Sequence, residues 1–159
     1  MSLEYVWIDK YKFIENKGYC LSNKFDISVE KVEKPYKKFQ IDLREKKYTI
    51  PDEFYGPKLK GLTAIIGKNG SGKTTLLNFL YEGDSSYNDL LYIYFDYDIE
   101  EIQIVSSLQY KIDNHSNYNV KNLSEEVSRH GGTPKFNNQQ IFSKMNIFTK
   151  YINGKLENG

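Results

Sequence analysis

Apolar and polar residues alternate with a period of two through much of the first third of the chain, the pattern of strands with one buried face. Phe25, Ile27 and Val29 alternate with Asp26, Ser28 and Glu30, while Phe39, Ile41 and Leu43 alternate with Gln40, Asp42 and Arg44; Pro35 separates the two runs. Residues 3–8 (Leu-Glu-Tyr-Val-Trp-Ile) are rich in β-branched and aromatic types. They predict an opening strand ending at the charged step Asp9-Lys10, followed by a turn at Gly18. These strands predict a small, largely antiparallel β-lobe over residues 1–57, closed by the turn-rich run from Pro51 to Pro57.

A different grammar follows. Leu62-Thr63-Ala64-Ile65-Ile66 is a continuous apolar run, as expected of a strand buried on both faces. It leads into a glycine-rich loop, after which Leu76, Leu77 and Leu80 give residues 74–81 helical spacing, stopped near Gly83 by Asp84-Ser85-Ser86. Residues 60–83 therefore predict a strand-loop-helix unit. Residues 90–96 and 100–106 predict a hairpin turning at Tyr97-Asp98-Ile99, within 90–107. From Ile112 the pattern fades: nine Asn fall between Asn114 and Asn158, Gly131-Gly132 and Pro134 interrupt the chain, and residues 124–129 alone suggest a short capped helix. The expected organisation is an N-terminal lobe over residues 1–111 and a polar, Asn-rich, partly ordered tail over residues 112–159.

Composition narrows the function classes. The 22 basic and 21 acidic residues leave a formal charge of +1, so nothing in the overall charge points to nucleic acid or an anionic membrane. The longest apolar run, residues 90–95, is six residues, against the roughly 20 of a membrane-spanning helix. Glu4, Asp9 and Lys10 interrupt the pattern of a signal peptide, and Cys20 is the only cysteine, which excludes an internal disulfide and a multi-cysteine metal site. A cytoplasmic protein is expected.

Gly67-Lys68-Asn69-Gly70-Ser71-Gly72-Lys73-Thr74 matches G-x-x-x-x-G-K-[ST], the Walker A phosphate loop, between a predicted strand and a predicted helix. Glycines at 67, 70 and 72 let the backbone turn its N–H groups inward around phosphates. The helix that follows adds its positive end to the same place. The expected nucleotide-binding set is Gly67, Asn69, Gly70, Ser71, Gly72, Lys73, Thr74 and Thr75. Lys73 would reach the β and γ phosphates, Thr74 would ligate Mg²⁺, and Thr75 would bond the α-phosphate. Asn23-Lys24-Phe25-Asp26 has the letters of the guanine-specific NKxD element, but it precedes the loop and Phe25 is better used as an inward strand residue, so ATP is favoured over GTP. Residues 91–96 have the outline of a Walker B strand, yet Asp96 is followed by Tyr97 and stands at a predicted turn; it is read as a solvated turn residue, and no catalytic carboxylate is assigned.

The opening Ile8-Asp9-Lys10-Tyr11-Lys12-Phe13-Ile14, the strands after it and the run from Ala64 to Leu77 resemble the N-terminal half of ABC-class ATPases of the SMC and RecF kind, over about residues 3–107. The likeness is greatest to the AAA-domain ATP-binding proteins of bacterial defence and overcoming-lysogenisation systems. The resemblance implies an α/β fold with a P-loop NTPase-like unit, a partial, N-terminal ABC-type ATPase lobe. It places Lys12 in the family's basic position, near the phosphates or a DNA-facing surface, although Lys10 replaces the usual Asn. It also implies Mg-ATP as ligand and a second ATPase lobe or partner subunit, commonly a nuclease, with DNA as an indirect partner and no membrane. The family's signature motif, Walker B pair and switch His are not recognisable in this sequence, so hydrolysis would need a C-terminal half or a partner.

Other features have plainer readings. Residues 30–47 hold seven basic and four acidic residues interleaved with Tyr36 and Phe39, read as a solvated face rather than a nucleic-acid contact. Gln139 and Gln140 are surface amides rather than a Q-loop, His115 and His130 have no metal-ligand spacing, and Trp7 is a core aromatic. Two rival functions stay open: a non-catalytic interaction module derived from a truncated ATPase, and a small P-loop kinase.

Overall fold

A computed structural model describes residues 1–51, 54–56, 62–82 and 89–123. The described elements are β1 (Ser2–Tyr11), β2 (Ile14–Cys20), β3 (Phe25–Val32), β4 (Lys38–Glu45), α1 (Lys73–Glu82), β5 (Leu90–Asp96), β6 (Glu101–Ser106), β7 (Gln109–Asn114) and β8 (Asn119–Asn122). They form a mixed α/β structure made mostly of strands, with a five-stranded sheet in the order β2-β1-β5-β6-β8 and a three-stranded sheet in the order β3-β4-β7. No described helix is long and apolar enough to cross a membrane.

The period of two along each strand decides the layers. Tyr5, Trp7, Leu91, Ile93, Phe95, Ile102 and Ile104 of the larger sheet face Phe25, Ile27, Phe39, Ile41 and Leu43 of the smaller one, and together they form the sandwich core. The alternate residues Val6, Ile8, Leu90, Tyr92, Tyr94 and Val105 point the other way and meet Leu76 and Phe79 of α1. The larger sheet is thus the middle layer, which is why β1 and β5 are buried nearly throughout. Burying Leu76 and Phe79 stabilises the helix contact by roughly 1.5–3 kcal/mol each.

Several expectations are corrected. The opening strand continues past Asp9-Lys10 to Tyr11, because Lys10 pairs with Glu15 in register. Gly18 is no turn but the interior of β2, opposite Trp7, where a β-carbon would overlap the Tyr5 hydroxyl and lie 3.2 Å from Trp7 Cε3. The turn stands at Lys12-Phe13 instead, since Tyr11 pairs with Ile14. Residues 90–106 do form the expected hairpin, but it belongs to the first lobe's sheet, with β5 antiparallel to β1. Strands also continue past residue 111: β7 lies parallel to β4 and β8 parallel to β6.

The largest departure is at residues 62–66, which join neither sheet. Thr63 Oγ1 donates to Leu21 O (2.7 Å), Asn23 Nδ2 donates to Leu62 O (3.1 Å), and Ile65 touches the helix-side core. Leu62 and Ile66 are 59% and 90% exposed. The described strands bury their apolar faces against one another and against α1, leaving this run beside the β2–β3 connection with no strand to pair with. The expected helix stop at residues 83–86 and the short helix at 124–129 fall outside the described residues.

Candidate functional site

Residues 67–72 connect the apolar run to α1 and have the backbone the motif demands. Gly70 and Gly72 adopt φ of +79° and +90°, a region that L side chains rarely enter. A β-carbon at Gly67 would stand 2.7 Å from Ser71 Oγ, so a side chain there would turn that hydroxyl away from its present place in the loop. Ser71 N donates to Lys68 O (3.2 Å), closing the turn, and Leu76 N donates to Gly72 O (2.8 Å), the first bond of the helix. The amide groups just before that bond have no partner within the helix, and no acidic residue occupies the first turn to offset their partial positive charge.

Lys73 opens α1 and folds back over the loop, its Nζ donating to Gly67 O and Lys68 O at 2.7 Å each. The ammonium is therefore held at the loop, by two carbonyls that an anion can replace as partners. Thr74 is exposed and Thr75 half-buried in the first turn. The arrangement brings together Gly67, Asn69, Gly70, Ser71, Gly72, Lys73, Thr74 and Thr75, and it has the form of a receptor for a multiply charged oxyanion. Thr74 contributes one neutral oxygen, which suits Mg²⁺, since that ion keeps several waters and takes further ligands from phosphates. Among the described residues no three His, Cys, Asp or Glu side chains gather as a metal cluster.

The β1–β2 turn reaches the same place. Tyr11 packs edge-on against Phe79 of α1, ring centroids 5.2 Å apart. Phe13 Cε2 lies 2.9 Å from the point a β-carbon of Gly72 would occupy. Lys12, between them, has φ 54° and an exposed side chain whose Nζ sits 5.1 Å from the Tyr11 ring centroid. The turn that carries Lys12 thus abuts the loop, and the contact is made by Phe13, a residue the sequence pattern did not single out.

Other candidates are drawn into the scaffold. Asp96 Oδ1 accepts from Asp98 N (3.0 Å) within the β5–β6 turn, as a turn aspartate does. In the NKxD look-alike, Phe25 is fully buried, Asn23 bonds the chain at Leu62, and Lys24 Nζ lies 4.5 Å and 4.4 Å from the ring centroids of Phe95 and Tyr118. Trp7 is buried edge-on against Phe39. His115 Nε2 stands 3.7 Å from Asp42, whose carboxyl the hydrogen-bonded Arg44 guanidinium holds below its ordinary range. His130, Gln139 and Gln140 lie outside the described residues.

The basic segment contains one surprise. Lys31 is no solvated residue: its side chain is 8% exposed and its Nζ reaches Asp89 at 2.7 Å and Asp9 at 2.9 Å. Burial lowers its pKa, but the hydrogen bonds and charges of Asp89 and Asp9 outweigh that and raise it above the ordinary lysine value.

A model of the AAA domain family matches residues 27–81, from β3 through the loop to α1, leaving Lys12 outside the match. No curated protein and no solved structure matches the chain. The family match supports nucleotide binding by an AAA-type ATPase segment.

Proposed function

We propose that the chain binds Mg-ATP at residues 67–75 as the Walker A lobe of an SMC/RecF-like ABC-class ATPase. The observation that carries this is the loop itself: two left-handed glycines, a third beside the Ser71 hydroxyl, and the Lys73 ammonium held at 2.7 Å from two loop carbonyls, all at the start of a helix. Lys73 would exchange those carbonyls for phosphate oxygens, Thr74 would supply the metal its protein ligand, and Lys12 would add charge from the adjoining turn. With Asp96 engaged in a turn, hydrolysis would depend on groups from a second lobe or partner subunit. The exposed Leu62 and Ile66 support such a partner, because an apolar run that joins neither sheet leaves side chains free for another chain to cover. The opening segment's likeness to defence-associated ATPases favours a setting in phage defence or DNA repair, with a nuclease as partner.

Calorimetric titration with Mg-ATP and Mg-GTP, beside Lys73→Ala, tests the reading. Saturable binding that favours ATP and is lost in the variant is the expected result. A folded chain that binds neither nucleotide would refute it and leave the interaction-module reading in its place. Phosphorylation of an added acceptor by the isolated chain would instead establish the kinase reading.

A further inference from the structure

We infer that Phe13 is a positioning residue of the phosphate loop, its ring seated on Gly72 so that the loop holds its anion-binding shape before a phosphate arrives. The inference rests on the nucleotide-binding reading above and concerns how that site is kept in order.

The β1–β2 turn has only two residues, because Tyr11 pairs with Ile14, and Lys12 takes φ 54°, so the hairpin fixes where Phe13 stands. On either side the turn is anchored: Tyr11 and Ile14 are 4% and 5% exposed, in the cluster that holds Leu76 and Phe79 of α1. The turn is therefore packed on the same helix that the loop opens. Phe13 itself is 64% exposed and contributes little to the core. Its ring reaches Gly72 closely, with Cε2 at 2.9 Å and Cζ at 3.3 Å from a virtual β-carbon, so a side chain at position 72, besides straining φ +90°, would push the ring off the loop. A loop with three glycines has wide conformational freedom when unsupported. Restricting it beforehand lowers the ordering cost of binding, and an apolar ring does so without competing for the amide groups that an anion needs.

The full chain is titrated with Mg-ATP and, separately, with inorganic tripolyphosphate and Mg²⁺, as wild type, Phe13→Ala and Phe13→Leu. Phe13→Ala is expected to weaken both ligands by the same factor, about three- to tenfold, with Phe13→Leu recovering part of the loss. Amide exchange in residues 68–73 should quicken without ligand. The melting temperature should stay within about 2 °C of wild type, since a largely exposed ring is truncated. A loss confined to ATP would show that the ring touches the base, and no loss for either ligand would show that it does nothing; each overturns the inference. Should Phe13→Ala melt early, Phe13→Leu at wild-type stability must still show a common, smaller loss, and its absence overturns the inference equally. Wild type binding neither ligand defeats the nucleotide reading and this inference with it, whereas wild-type affinity unchanged in the variants defeats this inference alone.

Discussion

Replacing Lys31 by methionine keeps the apolar stem of the side chain and removes only its charge. In the intact protein that charge faces Asp89 at 2.7 Å, Asp9 at 2.9 Å, Glu33 at 3.4 Å and Asn16 Oδ1 at 3.3 Å. Asp89 is the partner with most to lose, because its side chain is 6% exposed and its other cation, Lys37, stands at 3.7 Å on a side chain 55% exposed. Leaving a buried carboxylate without its close partner costs about 3–5 kcal/mol. With a urea slope of about 2 kcal/mol per M, the midpoint should fall by about 1.5–2.5 M. The loss should persist at about 1 M salt, since buried pairs are little screened. Lys31→Met combined with Asp89→Asn should recover most of it, because the stranded charge is then gone. A midpoint shift under about 0.5 M for Lys31→Met, or no recovery in the double variant, would refute the view that this ion group is desolvated and holds β3 to the ends of β1 and β5.

Three further outcomes follow from the geometry. Gly18→Ala should destabilise by about 1–3 kcal/mol, read from thermal melting, because the new methyl must displace Tyr5 or Trp7 from the sandwich core; a neutral result would mean that β2 shifts freely. Asp96→Asn should leave Mg-ATP affinity within about twofold, since asparagine still accepts the Asp98 amide; a tenfold loss that more Mg²⁺ restores would make Asp96 a metal carboxylate. Alkaline pH should unfold the protein cooperatively. Burial, with Cys20 beside Tyr5 and Tyr92 beside Tyr94, raises both phenols above their ordinary 10.0, and Lys31 also titrates above its ordinary 10.5. All three folded values are raised, so their stabilising contributions are complete below about pH 10 and disappear as pH climbs through the folded values. Tyrosinate absorbance should therefore gain a late step that coincides with loss of near-ultraviolet circular dichroism, and full ionisation of an intact fold would contradict the burial of Tyr5 and Tyr94.

Local chemistry was legible and partnership was not. The alternation of Phe25-Ile27-Val29 and Phe39-Ile41-Leu43 gave β3 and β4, and the apolar run after residue 90 gave the hairpin, because each pattern reports the burial of its own strand. The pairing of that hairpin with β1 joins segments on either side of the loop and helix, and a strand's pattern does not say which strand lies beside it. The same limit hid β7 and β8, polar segments that gain order from parallel neighbours they do not follow directly: β4, about seventy residues earlier, and β6, on the far side of β7. At residues 62–66 it acted in the opposite sense, for a pattern that asks for two buried faces is found with Leu62 and Ile66 facing solvent. Lys31 was within reach, however. It continues the odd-numbered register of Phe25, Ile27 and Val29, as Asp9 continues that of Tyr5 and Trp7, and Asp89 stands two residues before Leu91. One parity rule therefore sends all three charges to the inner face at one end of the sandwich, where they meet; grouping Lys31 with its basic neighbours along the chain concealed it.

The same parity connects the sandwich to the phosphate loop. Along β1, Tyr5, Trp7 and Asp9 serve the contact between sheets, while Val6 and Ile8 serve α1, so one strand carries both layers. Past Asp9 the strand leaves the sandwich edge and its chain goes wholly to the helix side: Tyr11 and Ile14 enter the helix cluster, and Phe13, between them, meets Gly72. The opening segment is thus a support built from a strand of the middle layer, ending on a loop whose glycines adopt left-handed backbone. This accounts for a division in the sequence signal. The loop announces itself because its glycines and lysine are dictated by local backbone geometry and charge. Its support does not, because a phenylalanine in a two-residue turn acquires its role only from a contact nearly sixty residues away. The site reads from sequence as a loop, to which resemblance adds Lys12, and folds as a loop with the whole Lys12-Phe13 hairpin behind it.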